Sequence, residues 1–165
     1  TELDLANVFY RYGDLRNSRL IANKIVSARK KFRINTTEDL VLIINDLSSK
    51  RHRNQFLARV FQSIRIEVND EIKALKEMLI SALELLNPSG RLVVISYHSL
   101  EDRLVKNLIK TGNLEGKVNQ DFFGNVLKRL KAINTKVIVA SEEEIARNPR
   151  ARSAKLRIAE KIYYE

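Results

Sequence analysis

The hydrophobic period of this chain changes abruptly between residues 56 and 96, and that change constrains the fold more than any other feature. From Phe56 the apolar residues Leu57, Val60, Phe61, Ile64, Val68, Ile72, Leu75, Leu79, Leu83 and Leu86 recur in steps of three and four. Such spacing lines one face of a helix, and sustained this far it predicts a single long one. "NPSG", Asn87 to Gly90, is a breaker and turn cluster that stops it. "RLVVIS" then follows, an apolar, β-branched run between turn signals, which predicts a strand buried on both faces. A long helix, a tight turn and a buried strand imply an α/β sheet with a parallel part. Ligands of open α/β sheets lie beyond the carboxyl ends of the strands. That rule singles out Ser96, Tyr97, His98 and Ser99.

Upstream the pattern is helical throughout. Thr1 with Asp4, and Thr36 with Asp39, are spaced as helix N-caps with a carboxylate three residues on. Leu5, Phe9 and Tyr12 form one apolar set, closed by Gly13 as a C-terminal cap. Leu20, Ile21, Ile25 and Ala28 form a second, and Leu40, Ile43, Ile44 and Leu47 a third. Three short helices joined by short loops predict a small bundle. "KRHRN", Lys50 to Asn54, interrupts the pattern, so a boundary is expected there, dividing the chain into 1–53 and 54–165.

Downstream of the strand, "SLEDRLVKNLIKTG" returns to helical spacing and Gly112 closes it. Residues 113–134 read as a polar loop followed by a short helix at Val126–Leu130. "TKVIVAS" reads as a second strand. "SAKLRIAEKIYY" alternates Leu156, Ile158 and Ile162 against Lys155, Arg157 and Lys161, a third strand with one wetter face.

Composition removes several kinds of chemistry. The chain has no cysteine and only two histidines, His52 and His98, which excludes disulfides, thiol nucleophiles and histidine-rich metal sites. No apolar run approaches the ~18–20 residues of a membrane span, and no signal-peptide pattern opens the sequence. The formal net charge is +10. Basic residues that neutralise phosphates release counterions, so such an excess points to nucleic acid.

Three motifs carry candidate chemistry. In Ser99-Leu100-Glu101-Asp102, Ser99 is placed to cap a helix and Asp102 to sit in its first turn, where a carboxylate is favoured. His98 before it could be an acid or base, a donor to a base or phosphate, or a residue bonded to backbone. A Ser-His-Asp hydrolase is rejected, since no Gly-x-Ser-x-Gly elbow is present and triad members come from separate segments. In "NPRARSAKLR", Asn148 to Arg157, the planar donor forks of Arg150 and Arg152 suit phosphate. Lys50, Arg51 and Arg53, and Arg29 to Arg33, are further basic clusters that could equally cap helix C-termini. Arg65 and Asn69 border the apolar stripe and call for partners, a protein group before a ligand.

"FQSIRIEVNDEI", "LNPSGRLVVISYHSLEDRLVK" and "NPRARSAKLRIAEK" resemble, in that order, three blocks of the bacterial S-adenosylmethionine-dependent methyltransferases that modify a cytosine N4 in 16S ribosomal RNA. "YGD" and "TTEDL" resemble landmarks of that family's helical insertion. Tyr97 stands where the family tends to have Phe, and Ser89 where it tends to have Gly. The resemblance implies an α/β fold: a helical insertion bundle plus the C-terminal portion of a Rossmann-like methyltransferase sheet. Arg91–Ser96 would be its fifth strand, Lys136–Ala140 the sixth and Ala154–Ile162 an antiparallel seventh. It implies that Ser96, His98, Ser99, Asp102 and Arg103 wall the methyl-transfer pocket, with His98 positioning substrate rather than acting as base. Asn148, Arg150, Arg152, Arg51 and Arg53 would meet RNA, the partner being 16S ribosomal RNA or the small ribosomal subunit in the cytoplasm.

The cofactor is S-adenosylmethionine, but the family's "GGHS"-like glycine loop and acidic ribose-binding residue are absent, so no cofactor-binding residue and no metal ligand is expected in this chain. The isolated chain is therefore expected to be inactive. Its "LVVIS" strand should present an unpaired edge that invites self-association into a homo-oligomer. The competing reading is a basic helical module that binds RNA or protein without catalysis. A DNA-binding regulator finds no helix-turn-helix signature.

Overall fold

A computed structural model of the chain describes residues 1–162. Contacts divide it into two compact units, the first Thr1–Glu71 and the second from Ile72 onward. The boundary expected after Arg53 falls inside the first of these.

The first unit is four helices: α1 (Glu2–Gly13), α2 (Ser18–Arg29), α3 (Thr37–Ile44) and α4 (Arg53–Val68). Thr1 and Thr36 cap α1 and α3 as expected. Each accepts an amide from the third helical residue, whose Asp carboxylate returns the bond to the cap backbone. The core gathers Phe9, Leu15, Ile21, Ile25, Leu40, Ile44, Phe56 and Val60. Leu20 is exposed rather than on the buried stripe of α2, where Ser18 and Ala22 take the inner positions. Gly13 is not the cap of α1. It is the last helical residue, and Asp14 adopts the left-handed conformation after it. Gly13 is small for another reason: a Cβ there would stand 2.5 Å from Ser63 Oγ of α4.

The long helix is two helices. α4 ends at Val68 and α5 (Glu71–Leu85) begins after Asn69 and Asp70, with Asp70 left-handed at φ 52°. Three- and four-residue steps continue across the break, which is why periodicity alone missed it. Arg65 finds a protein partner here, as expected. Its guanidinium donates to both Glu71 oxygens at 2.7 and 3.0 Å, and Asn69 donates to the same carboxylate at 3.3 Å.

The second unit is α/β. It contains α5, β1 (Arg91–Ser96), α6 (Ser99–Thr111), β2 (Leu130–Ala132), β3 (Ile138–Val139), α7 (Glu142–Arg147) and β4 (Lys155–Lys161). β4 is the central strand, with β1 on one edge and β2 and β3 at opposite ends of the other. The predicted last strand is antiparallel, as the resemblance implied. The predicted parallel part is not seen: among the described residues every strand pairing is antiparallel. The second strand is shorter than expected, only Ile138 and Val139 pairing. Val126–Leu130 is not a helix. Val126 bridges Gln120 across a hairpin and Leu130 opens β2. Tyr163 and Tyr164, at the end of the predicted third strand, lie outside the described residues.

α5 and α6 cover one face of this sheet. Leu79, Leu83, Leu92, Val105, Leu108, Ile109, Leu130 and Ala159 make its core. β1 is not buried on both faces: Val93 is 56% and Ile95 57% exposed on the other side. Lys161 reaches from β4 to the end of α5, donating to the carbonyls of Leu83 at 2.8 Å and Leu86 at 2.6 Å, groups a helix end leaves unsatisfied.

Candidate functional site

The candidate site lies where β1 ends. Ser96, its last residue, is buried, and its hydroxyl donates to the Lys155 carbonyl at 3.4 Å. Ser96 also pairs in register with Lys155, the first residue of β4. The carboxyl end of β1 and the chain entering β4 therefore share one end of the sheet.

His98, not Ser99, caps α6. Its Nδ1 accepts the Glu101 amide at 3.4 Å, and the Glu101 carboxylate accepts the amides of Tyr97 at 2.8 Å and His98 at 3.4 Å. A neutral imidazole that accepts at Nδ1 carries its proton on Nε2. Nε2 stands 3.2 Å from Glu101 Oε1. Glu101 thus faces both ring nitrogens: its amide donates to Nδ1, and its carboxylate lies within ion-pair distance of Nε2 without making a hydrogen bond to it. Ser99 is exposed at the first helical position, where its hydroxyl is spare, and Tyr97 is exposed beside it.

Asp102 is buried and faces two cations from β4. Arg157 donates to it through Nε at 2.7 Å and through a terminal nitrogen at 3.2 Å, and Lys155 Nζ lies 3.5 Å away. Burial acts to raise the carboxyl pKa, but the Arg157 hydrogen bond and charge, and then Lys155, outweigh it and hold Asp102 below its ordinary value. Asp102 thus bolts α6 to β4, and with it the His98 cap to the sheet. Arg103, one residue on, is exposed. Reading the sequence missed Arg157 and Lys155 as partners of Asp102. Alternation puts Lys155 and Arg157 together on the wetter face of a strand; the buried carboxylate they meet is more than fifty residues away.

Asn148, Arg150 and Arg152 stand at the 3₁₀ turn Pro149–Ser153 that leads into β4. The Asn148 side chain accepts the Arg150 amide at 3.3 Å and Ala151 is buried, which leaves both arginines exposed. They reach the sheet at its Ser96–Lys155 end. Arg51 and Arg53 belong to the first unit, Arg51 in a 3₁₀ turn and Arg53 at the start of α4, and both are exposed.

The glycines test whether these residues could hold S-adenosylmethionine by themselves. A Cβ added at Gly13, Gly90, Gly112 or Gly116 would come within 3.0 Å of other protein atoms, and Gly124 faces open space alone at a hairpin tip. Close approach of backbone to a nucleotide-like ligand needs glycines grouped around an open cradle. These are spent on turns and internal packing, so the residues present do not fit the cofactor unaided. Among the described residues no group of His, Asp and Glu could hold a metal ion, and no helix is long and apolar enough to cross a membrane.

Comparison with known proteins bears on this geometry. A family model described as the MraW methylase family matches residues 1–162. A protein named Ribosomal RNA small subunit methyltransferase H from Parabacteroides distasonis is 60% identical over 158 residues, 96% of this chain and 52% of that protein. One of the same name from Bacteroides fragilis is 59% identical over 95% of the chain and 52% of its own length. Another from Flavobacterium johnsoniae is 52% identical over 98% and 53%. The chain spans about half the length of these curated relatives.

Proposed function

The chain belongs to the MraW methylase family, and from that premise we propose that it is part of an S-adenosylmethionine-dependent ribosomal RNA methyltransferase. The proposed target is a cytosine N4 of 16S ribosomal RNA, bare or in the small subunit, which would place the enzyme in the cytoplasm. The observation that carries this reading is the family match across both units, together with the rigid strand end it includes. The first unit is read as a helical insertion. β1, β4 and β3 are read as strands five, seven and six of the methyltransferase sheet. The antiparallel central β4 supports that numbering.

Cytosine N4 is a poor nucleophile because its lone pair is delocalised. The enzyme must hold it in line with the methyl group and let its proton leave. When bound, S-adenosylmethionine supplies that methyl group. This chain's own contribution is the wall. Ser96, His98, Ser99, Asp102 and Arg103 form a strand end and helix start that cannot drift, because Glu101 holds the imidazole and Arg157 holds Asp102. With Nδ1 capping α6, His98 is read as a positioning residue. Arg150 and Arg152 extend the same sheet end toward phosphates. The alternative, a basic RNA- or protein-binding module without catalysis, has no observation of its own in its favour.

The test uses the gene-encoded protein, small ribosomal subunits and cofactor with a labelled methyl group. His98→Ala removes both cap and ring, whereas His98→Asn keeps a capping oxygen. If the ring walls the pocket, both variants lose about a hundred-fold in methyl transfer, while the Asn variant keeps parental thermal stability. Full activity in the Asn variant would reduce His98 to a helix cap. Label recovered anywhere but cytosine N4 would overturn the assigned target. In the same protein, replacing Arg150 and Arg152 with Ala should flatten the slope of log affinity against log salt by up to about 2. An unchanged slope means the turn is merely solvated.

A further inference from the structure

The segment between α6 and β2 contains a feature that neither fold nor methyl transfer uses. Residues 119–127 form a hairpin. Leu127 N–H donates to the Asn119 carbonyl at 2.8 Å, Gln120 bridges Val126, and Asp121 N–H donates to the Asn125 carbonyl at 3.0 Å. Its tip is fastened by polar groups. Asp121 Oδ1 accepts the amides of Phe123 and Asn125, both at 2.8 Å, and Oδ2 accepts the Asn125 side chain at 3.0 Å. Gly124 takes φ +84°, the left-handed turn position that other residues resist. Two phenylalanines stand on this tip, Phe122 99% and Phe123 85% exposed. Their rings meet edge to face, centroids 5.8 Å apart and planes at 87°.

We propose that the Phe122–Phe123 tip is a stacking platform for unpaired bases of the RNA substrate. This rests on the ribosomal RNA reading above and adds a contact surface to it. The rings contribute nothing to either core, so their exposure is a cost the fold does not recover. The turn is nevertheless built to hold them out: a carboxylate with three donors fixes the backbone under Phe123. Perpendicular rings cannot both lie on the same base, so the platform offers one face to each of two neighbouring bases or one face and one edge. Every base has a flat π face, which makes such contacts tolerant of sequence.

Charge selects the occupant. Between Lys106 and Lys136 cations outnumber carboxylates seven to two, with Lys117 exposed just before the hairpin and Lys128 half-buried just after it. Aromatic faces flanked by cations are the arrangement that holds single strands, stacking the bases while neutralising the backbone. Leu127, Lys128 and Arg129 also line an open groove of about 530 Å³ with Ile80, Leu108 and Leu114, which continues the surface from the tip onto the body of the unit.

The experiment measures binding of the gene-encoded protein, at one fixed salt concentration, to a short single-stranded RNA carrying 2-aminopurine and to the same strand in duplex form. Parent protein should prefer the single strand and change the 2-aminopurine fluorescence, which reports stacking. Phe122→Ala with Phe123→Ala should weaken single-strand binding about ten-fold or more, abolish the fluorescence change, and leave duplex binding, the salt slope and the melting temperature as they were. Phe122→Leu with Phe123→Leu keeps the apolar bulk and removes the π faces, and should behave like the Ala pair. Leu variants that bind as the parent does would mean the tip docks on a protein or lipid surface, and would overturn the proposal. So would Ala variants with unchanged affinity in a parent that binds RNA. A parent that binds no RNA would instead bring down the ribosomal RNA reading itself.

Discussion

Asp102 shows how one residue can serve stability and site geometry together. Its carboxylate is buried, so replacing it strands two cations that now share it. Asp102→Asn keeps the shape but loses the charge, and should destabilise the second unit by about 2 kcal/mol. The pH dependence has a definite sign. The folded-state pKa of Asp102 lies below the ordinary 3.8, so its contribution is fully present above that value and is lost as pH falls through the lowered folded pKa. The stability gap between parent and Asp102→Asn, followed by denaturant titration, should therefore be constant near neutrality and close below about pH 4. A gap that persists into strong acid would mean packing, not charge, explains the loss. Glu101, its neighbour, illustrates the same economy: one carboxylate closes the α6 cap and orients the His98 ring.

Among the elements, the turn between α5 and β1 departs most plainly from ideal chemistry. Ser89 sits at φ 63°, a left-handed conformation that costs a residue with a Cβ about 1 kcal/mol. The turn is held in place because Ser89 N–H donates to the Lys161 carbonyl at 2.9 Å, and Lys161 N–H donates to the Gly90 carbonyl at 2.9 Å. Ser89→Gly should raise stability by about 0.5–1 kcal/mol without moving the strand, read as a higher melting temperature with unchanged circular dichroism. A lower melting temperature would show that the serine hydroxyl has a role the backbone does not reveal.

At the scale of the whole molecule the sheet is unevenly covered. α5 and α6 bury one face, while Val93, Ile95, Ile133, Ile138 and Val139 are exposed. Among the described residues β1 has no strand on its outer edge. An open edge beside an apolar face templates pairing with another chain. The 165-residue chain on its own is therefore expected to self-associate as concentration rises, by light scattering. Val93→Lys with Ile95→Lys should return it to monomer. A parent chain that stays monomeric at high concentration would show that the face is tolerated in water. The same isolated chain should show no micromolar heat of binding with S-adenosylmethionine, for want of a glycine cradle.

The sequence alone determined whatever depends on near neighbours. Both Thr-x-x-Asp capping boxes, the closing of α6 at Gly112, the β1 and β4 segments and the helical character of the first half were legible, because caps and periodicity act within one or two turns. Charge pointed toward nucleic acid because it needs no geometry. Only the tertiary structure decided the break at Asn69–Asp70, where the apolar rhythm runs on unbroken across the gap. It alone moved the α6 cap from Ser99 to His98, since the choice depends on where the Glu101 carboxylate turns back. It alone joined Asp102 to Arg157 and Lys155, Lys161 to the end of α5, and Gly13 to Ser63. Each of these contacts links residues brought together by packing rather than by spacing, and no local pattern records which distant group will fill a buried donor or a missing Cβ.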